Sequence, residues 1–233
     1  MLKSICEHSM IGRSYKKGLF ELELVDIRDF ADNKHGQADD YPYGGGAGML
    51  LKPDVTGSAL QSVQAEDSHT VYLSPQGKPF NQATAERLAG QSHLILLCGH
   101  YEGIDQRVLA WADEEISIGS YILTGGELPA MVVIDAVVRL LPGALGAVAS
   151  AKEESFAGQL LEYPQYTRPA VWNEEEVPAV LLSGHHENIR LWRKKQSLLQ
   201  TLLKRPDLLL NRSYDTEERK LLEAILFEER GGE

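Results

Sequence analysis

Three segments that each follow a short apolar run place glycines and hydroxyl groups where a small ligand can bind. They are Tyr72–Gly77, Cys98–Gly103 and Ser117–Pro129. In open α/β sheets, ligands bind in the crevice beyond the carboxyl ends of the strands. Loops of this composition offer backbone donors and acceptors to an adenosine-like ligand with little help from side chains. Each segment alone is also typical of an ordinary turn, but the three together favour a ligand site.

The stretch Asp39–Gly48 has four glycines in its last five residues, which lets the backbone approach a ligand closely. No Gly-Lys-Ser/Thr follows it, so it is not a Walker loop. No apolar strand precedes it, so it is not a dinucleotide fingerprint. The pattern leaves a ligand-binding loop and a flexible surface loop equally open.

The remaining candidates for chemistry also have ordinary explanations. Arg139 follows an apolar helical run, where a long side chain normally extends to the surface. Glu153 and Glu154 lie in a stretch where a solvated charge pair is the default. His185 and His186 are adjacent, so on a helix they point in different directions. No further Cys or His follows at ligand spacing, which argues against a metal site built by the protein.

The segment His186–Arg205 contains six Lys or Arg residues and one Glu. A helical wheel places most of the basic residues on one face and the apolar residues on the other. The basic face consists of Arg190, Arg193, Lys194, Lys204 and Arg205. Such a helix usually presents a solvated face above a core, but a concentrated basic stripe also suits contact with a phosphate backbone.

The apolar periodicity predicts the elements that position these segments. Predicted strands cover 19–25, 71–74, 93–98 and 115–118, and predicted helices cover 81–89, 103–112, 128–141, 187–204 and 216–229. Asp215 is the expected N-cap of the last helix. Residues 163–178 contain three prolines and are predicted to form a linker and loop. The alternation indicates an α/β domain with a mainly parallel sheet, followed by a small helical domain.

Composition limits the class of protein. The 233 residues are 43% apolar and 24% charged, enough for a sizeable core, which excludes a disordered chain. A net charge of −11 argues against broad coating of nucleic acid but not against a local basic patch. Two cysteines, Cys6 and Cys98, exclude a disulfide framework and fit a reducing cytoplasm; Cys98, in an apolar run, is expected to be a packing residue. No membrane span or secretory signal is apparent, so a cytoplasmic location is expected.

Seven segments also occur in the order and spacing of a known family. They are DDYPYGGGAGM, YLSPQG, LCGHYEGID, SIGSYILTGGELPA, YTRPAVW, PAVLLSGHHENIRLWRKKQSL and LLKRPDLL. Over essentially its whole length the chain resembles the bacterial tRNA (guanine-N1)-methyltransferases, of the SPOUT superfamily.

The resemblance implies a fold and a domain division. It implies an S-adenosylmethionine-binding α/β domain with a C-terminal trefoil knot at 1–145, an interdomain linker at 146–160 and a helical tRNA-binding domain at 161–233. It also implies a homodimer in which each active site is completed by the partner chain. The family's first apolar strand has no counterpart before His8 in this sequence, so we expect an exposed sheet edge there.

The resemblance also assigns site residues. The cofactor contacts that it implies are Tyr72, Leu73, Ser74, Pro75, Gly99, Tyr101, Glu102, Ile118, Gly119, Ser120, Tyr121, Ile122, Leu123, Gly125, Gly126 and Pro129. Expected RNA contacts are Gly44, Gly45, Gly46, Arg168, Arg190, Arg193 and Lys194. Mg²⁺ is a possible cofactor for which the sequence shows no protein site.

The implied reaction methylates N1 of guanine 37 of tRNA, the base 3′ of the anticodon, where another guanine precedes it. A carboxylate would take the N1 proton, and Arg139 would stabilise the charge that spreads to O6. The family's general base is usually Asp, whereas Glu154 occupies that place here, with Glu153 as the weaker candidate. Two alternatives stay open: a ribose 2′-O-methyltransferase with the same cofactor fold, and a tRNA-binding protein impaired in catalysis.

Overall fold

The computed structural model describes residues 1–32, 36–145, 155–210 and 212–230. The chain divides into two compact units, Met1–Gly146 and Ala147–Glu233. The helices are α1 Leu2–Ile5, α2 Ser9–Lys16, α3 Pro53–Val63, α4 Gln82–Ala89, α5 Gln106–Leu109, α6 Glu127–Val138, α7 Ala179–Leu182, α8 His186–Lys204 and α9 Thr216–Arg230. The strands are β1 Asp39–Asp40, β2 Leu50–Leu51, β3 Ser68–Pro79, β4 His93–Cys98, β5 Glu114–Ser117, β6 Val171–Trp172 and β7 Glu175–Glu176.

The first unit is built on a parallel sheet with the strand order β4–β3–β5. The central strand pairs with β4 from Ser68 opposite His93 to Leu73 opposite Cys98, and with β5 along its other side. The α/β class and the parallel sheet that the sequence predicts are therefore confirmed.

Successive side chains of β3 enter two different cores, because side chains alternate across a strand. Val71 and Leu73 lie in a cluster to which α6 contributes Val133. Tyr72 lies in a second cluster, to which α3 contributes Val55. The sheet is thus covered on both faces, which explains why the continuous apolar run of β4 forms a strand at the predicted bounds.

The central strand is longer than the sequence predicts. It was expected to end at Ser74, before Pro75, but it continues to Pro79. Its register against β5 shifts between Leu73 and Lys78, so that Ile116 lies opposite both. The residues between them leave the ladder, since Pro75 has no N–H to donate to it, and pairing resumes after this excursion.

Three other predicted elements differ from the structure by more than one residue; one of them is the helix predicted at 128–141, which ends at Val138. The prediction of a strand at 19–25 is wrong: this segment is described, and it forms no strand there. Alternating apolar residues make a strand only where a neighbour pairs with the backbone, and the sheet β4–β3–β5 does not include this segment. The helix predicted at 103–112 covers only Gln106–Leu109, and its N-cap is Asp105, whose carboxylate accepts from the Arg107 N–H.

The second unit contains the predicted pair of long helices, α8 and α9. The N–H of Glu218 donates to Asp215 Oδ1 at 2.7 Å, and the Asp215 N–H donates to Glu218 Oε2 at 3.1 Å. These reciprocal bonds form a capping box and confirm Asp215 as the N-cap of α9. The stretch 163–178, predicted as linker and loop, contains the small antiparallel hairpin β6–β7.

Candidate active site

The loops that follow the sheet strands meet at one edge. Because the strands are parallel, their carboxyl ends lie together. The Gly126 N–H donates to the Gly99 carbonyl at 2.8 Å, and a backbone bridge joins His100 to Gly125. The loop after β4 is therefore joined directly to the segment that precedes α6.

Two glycines at this edge lie in close contact with neighbouring groups. A Cβ on Gly126 would lie 2.6 Å from Cys98 Cα, and a Cβ on Gly99 would lie 3.0 Å from the Tyr72 hydroxyl oxygen. A side chain at either position would push the loops apart, so backbone groups rather than side chains form much of the crevice. Such a lining suits a ligand that is bound through backbone N–H and carbonyl groups.

Tyr72 supports this edge from the core. Its side chain is buried, and its hydroxyl lies beside both Gly99 and Gly103. Burial raises the pKa of the Tyr72 hydroxyl, and the neighbouring Glu115 carboxylate raises it further. The phenol is consequently neutral and structural, which leaves the Tyr72 backbone as the part available to a ligand.

The glycine-rich stretch is the loop of the β1–β2 hairpin, in which Asp39 lies opposite Leu51. The Glu102 N–H donates to the Met49 carbonyl at 3.1 Å, and the Leu51 N–H donates to the Gly103 carbonyl at 3.0 Å. The hairpin is thereby tied to the loop after β4. The structure places the glycine-rich stretch at the same edge, a point that the sequence pattern left open.

The tip of this hairpin is open. Gly44, Gly45 and Gly46 have φ angles of 86°, 80° and 127°, which glycine adopts without strain. A Cβ on any of them would meet no described atom within 4 Å, and Tyr43 beside them is fully exposed. The turn geometry, not packing, explains these glycines, and the tip is accessible to a large ligand.

The other expected cofactor residues all belong to these loops or to the first turn of α6. Leu73 is buried, and the partly buried residues are Ser74, Ile118, Gly119, Gly125 and Pro129. The exposed residues are Pro75, Tyr101, Glu102, Ser120, Tyr121, Ile122 and Leu123. Tyr101 has a φ of 56°, an uncommon backbone conformation for a residue with a side chain. The expected cofactor residues are thus brought together at one edge.

Comparison with known proteins gives this edge a context. Residues 1–211 match the protein family described as tRNA (guanine-1)-methyltransferase TrmD. The chain belongs to this family. A tRNA (guanine-N(1)-)-methyltransferase of Syntrophomonas wolfei is 61% identical over 227 residues, which cover 97% of this chain and 93% of the relative. A protein of the same name from Carboxydothermus hydrogenoformans is 55% identical over 221 residues, which cover 94% and 87%.

Arg139, the residue expected to stabilise the charge on guanine O6, is the C-cap of α6 and lies at the far end of this helix from the loops. The helix begins at Glu127, next to Gly126, and ends at Val138. Its 12 residues span about 18 Å at the rise of an α-helix. Arg139 and the loops of the same chain are therefore a helix length apart. Glu153 and Glu154 lie outside the described residues.

Two of the expected RNA contacts are engaged in ion pairs within the second unit. The Arg190 guanidinium lies 2.8 Å from both Glu187 and Glu217. Lys194 Nζ lies 2.9 Å from Asp215 Oδ2 and 3.2 Å from Glu217 Oε1. The Arg190 guanidinium, with a smaller contribution from Lys194, lowers the pKa of Glu217 to about 2. This part of the basic face of α8 is covered by the acidic start of α9.

The other expected RNA contacts of this unit differ in exposure. The Arg193 guanidinium lies over the Tyr163 ring, 4.8 Å from its centroid, a cation–π arrangement. Arg168 is exposed. The sequence could not indicate the pairing with α9, because the partners lie more than twenty residues further along the chain.

Sequence reasoning missed one pair at the edge. His100 Nε2 lies 2.9 Å from Glu127 Oε1, and a carboxylate can only accept, so the imidazole donates. The sequence does carry a signal for this pair: His100 follows Gly99 and Glu127 follows Gly126, and both glycines are expected cofactor contacts.

Metal and membrane features can be stated for the described part of the chain. Within those residues, no group of three or more His, Cys, Asp or Glu side chains is arranged to hold a metal ion. Among the same residues, no helix has the length and apolarity that a bilayer crossing demands. Burial raises the pKa of the Cys98 thiol to about 12, which supports its interpretation as a packing residue.

Proposed function

We propose that this protein transfers a methyl group from S-adenosylmethionine to N1 of guanine 37 in tRNA. Family membership supports the reaction, since its relatives are named tRNA (guanine-N(1)-)-methyltransferases. The observation that carries the proposal for this chain is that the loop after β4, the segment between β5 and α6, and the glycine-rich hairpin meet at one edge of the sheet. A tRNA substrate implies work in the cytoplasm.

The residues at the edge fit S-adenosylmethionine. Gly126 leaves no space for a side chain, and Gly99 is closely packed against the Tyr72 hydroxyl, so backbone groups would hold the adenosine. The exposed side chains of Tyr121 and Ile122 would lie beside it. When bound, S-adenosylmethionine supplies a methyl group on a positively charged sulfur, which a deprotonated guanine N1 can accept.

The residues of this chain would prepare the guanine. Neutral guanine N1 carries a proton and is a poor nucleophile, so a carboxylate must take that proton. We assign this role to Glu154, with Glu153 as the second candidate. The electron pair left on N1 is shared with O6, where the Arg139 guanidinium would stabilise it. The open hairpin tip at Gly44–Gly46 would line the pocket for the extruded base.

We propose that the working form is a homodimer in which the partner's copy of Arg139 completes each site. The helix-length separation of Arg139 from the loops of its own chain supports this. Leu128 and Val132 on α6 are 46% and 47% exposed and share a helix face with Arg139. An exposed apolar stripe on a central helix is typical of a surface that a second copy covers.

The finer architecture is also proposed from the family. The segment after β5 passes directly against Cys98 and Gly99, which supports a C-terminal trefoil knot in a domain covering 1–145. The helices α7, α8 and α9 support a helical tRNA-binding domain at 161–233, after a linker at 146–160. On that domain, Arg168, Arg190, Arg193 and Lys194 would contact tRNA phosphates, with Arg190 and Lys194 exchanging their carboxylate partners for them.

Labelled S-adenosylmethionine and anticodon stem-loop transcripts test the function, with and without Mg²⁺. We expect label in 1-methylguanosine at position 37, and none in a transcript that carries adenine there. Label on ribose would indicate a 2′-O-methyltransferase. Tight RNA binding without label would indicate a protein that has lost catalysis.

A further inference from the structure

The His100–Glu127 pair links two of the loops at the candidate active site. His100 is the second residue after β4, and Glu127 is the first residue of α6. The imidazole donates to the carboxylate at 2.9 Å, and the two side chains are 47% and 32% exposed. The bond therefore spans the two segments at the open side of the edge, outside the core.

The pair closes over the backbone of Gly125. A Cβ on Gly125 would lie 2.5 Å from Glu127 Oε2 and 2.8 Å from His100 Nε2. The two side chains thus cross directly over Gly125, and the backbone bridge between His100 and Gly125 lies beneath them. Only glycine at this position lets the pair close.

The pair also holds the start of a strained loop. Tyr101, the next residue, has a φ of 56°, a conformation that persists only where its surroundings impose it. The His100 and Tyr101 rings are 5.6 Å apart, and the following N–H, of Glu102, is bonded to Met49. His100 is fixed by Glu127 on one side of this strained residue, and Glu102 is fixed by the hairpin on the other.

We propose that His100 and Glu127 are positioning residues that clamp the loop after β4 to the start of α6 and so preorganise the S-adenosylmethionine site. This rests on the proposed function, because the clamp acts on the cofactor that the function requires. A partly exposed ion pair adds little to folding stability. A loop held in its binding conformation, in contrast, gains affinity, since less ordering remains to be done on binding. The clamp should therefore act on affinity for the cofactor much more than on the stability of the fold.

The test measures S-adenosylmethionine affinity of the full chain by calorimetry, with KM and kcat from the methylation assay. His100→Phe keeps a ring against Tyr101 but cannot donate, and Glu127→Ala removes the acceptor. We expect each to raise Kd and KM for the cofactor about tenfold, a change of about 1.4 kcal/mol, with kcat at saturating cofactor unchanged. The double variant should be no worse than either single one, because both remove the same bond.

Two further variants separate positioning from general stability. His100→Arg restores a donor to Glu127 and should return the affinity to near the wild-type value. Arg87→Gln breaks another partly exposed pair, with Glu114, at the other edge of the same sheet; it should leave the cofactor Kd unchanged. The clamp is refuted if His100→Phe and Glu127→Ala bind cofactor as the wild type does, or if their effects on Kd simply add. A wild-type protein that binds no S-adenosylmethionine would instead overturn the proposed function, and the clamp with it.

Discussion

At the scale of single residues, the proposed chemistry depends on Glu154, the residue that we match to the Asp of the family pattern. The extra methylene moves the carboxylate by more than about one ångström unless the backbone adjusts, and misplacement on this scale can cost about 100-fold in rate. Glu154 lies outside the described residues, so its role rests on the alignment of Lys152–Phe156 with the family motif. Direct substitution is the decisive test.

Replacing Glu154 by Gln removes the proton acceptor and keeps the shape of the side chain. We expect turnover to fall by about 10²–10⁴-fold, the usual contribution of a general base, while the Kd for S-adenosylmethionine stays unchanged. Single-turnover methylation and calorimetry measure the two quantities. Glu153→Gln is the matched control and should stay within a few-fold of the wild type; a reversed outcome would make Glu153 the base.

At the scale of elements, the sequence pattern predicted correctly those helices, strands and caps that depend mainly on neighbouring residues. The apolar run of β4, the length of α8 and the Asp215 cap of α9 each depend on neighbouring residues, and each was predicted within one residue. The strand predicted at 19–25 was wrong because a strand forms only where a partner, often distant in sequence, pairs with its backbone. The predicted end of β3 at Ser74 was wrong because the strand pairs with β5 a second time, after Gly77.

The site was predicted in the same uneven way. The loops after β4 and β5 could be placed together, since parallel strands put their carboxyl ends at one edge. Joining the glycine-rich hairpin to them required the Met49–Glu102 bond, which no spacing rule reveals. The ion pair between Arg190 and Glu217 could not be predicted either, because it depends on how α9 packs against α8.

The contact between α8 and α9 predicts how tRNA binding responds to charge. Phosphates must compete with Glu217 for Arg190 and Lys194. Glu217→Gln should therefore strengthen tRNA binding several-fold, steepen the loss of affinity with salt, and lower the melting temperature. Titrations at several salt concentrations measure the first two effects. Glu223→Gln on the same helix makes the same charge change at an exposed position; equal effects of the two variants would show that only net charge matters.

A carboxylate at the other edge of the sheet predicts acid sensitivity. Burial would raise the pKa of Glu114, but hydrogen bonds from His69 and Arg87 together hold it below its ordinary value of 4.5. A carboxyl group with a lowered folded-state pKa contributes stability above its unfolded-state pKa, and that stability is lost as the pH falls through the folded-state pKa.

The free energy of unfolding of the wild type should therefore decline between about pH 5 and pH 3. Glu114→Gln should be less stable than the wild type at neutral pH and should show a shallower decline. Denaturant titrations at several pH values measure both. Glu86→Gln, at an exposed position on the adjacent α4, should keep the wild-type profile. A Glu114→Gln profile parallel to the wild type would mean that other carboxyl groups cause the decline.

At the scale of the whole molecule, the position of Arg139 decides how many chains make one site. Within one chain, α6 separates it from the loops by about 18 Å, further than an arginine side chain reaches. If the partner's copy of Arg139 completes the site, two inactive variants can restore each other. A site with intact loops from one chain and an intact arginine from the other would form in each mixed dimer.

Mixing Arg139→Gln chains with Gly126→Ala chains tests this arrangement. Alanine at 126 would collide with Cys98, which should abolish cofactor binding in that chain. Each variant alone should be inactive, whereas refolding an equal mixture should restore about one quarter of the wild-type activity, because half of the dimers are mixed and each has one intact site. A mixture of folded variants that stays inactive would mean that Arg139 serves its own chain, and the composite site would have to be abandoned.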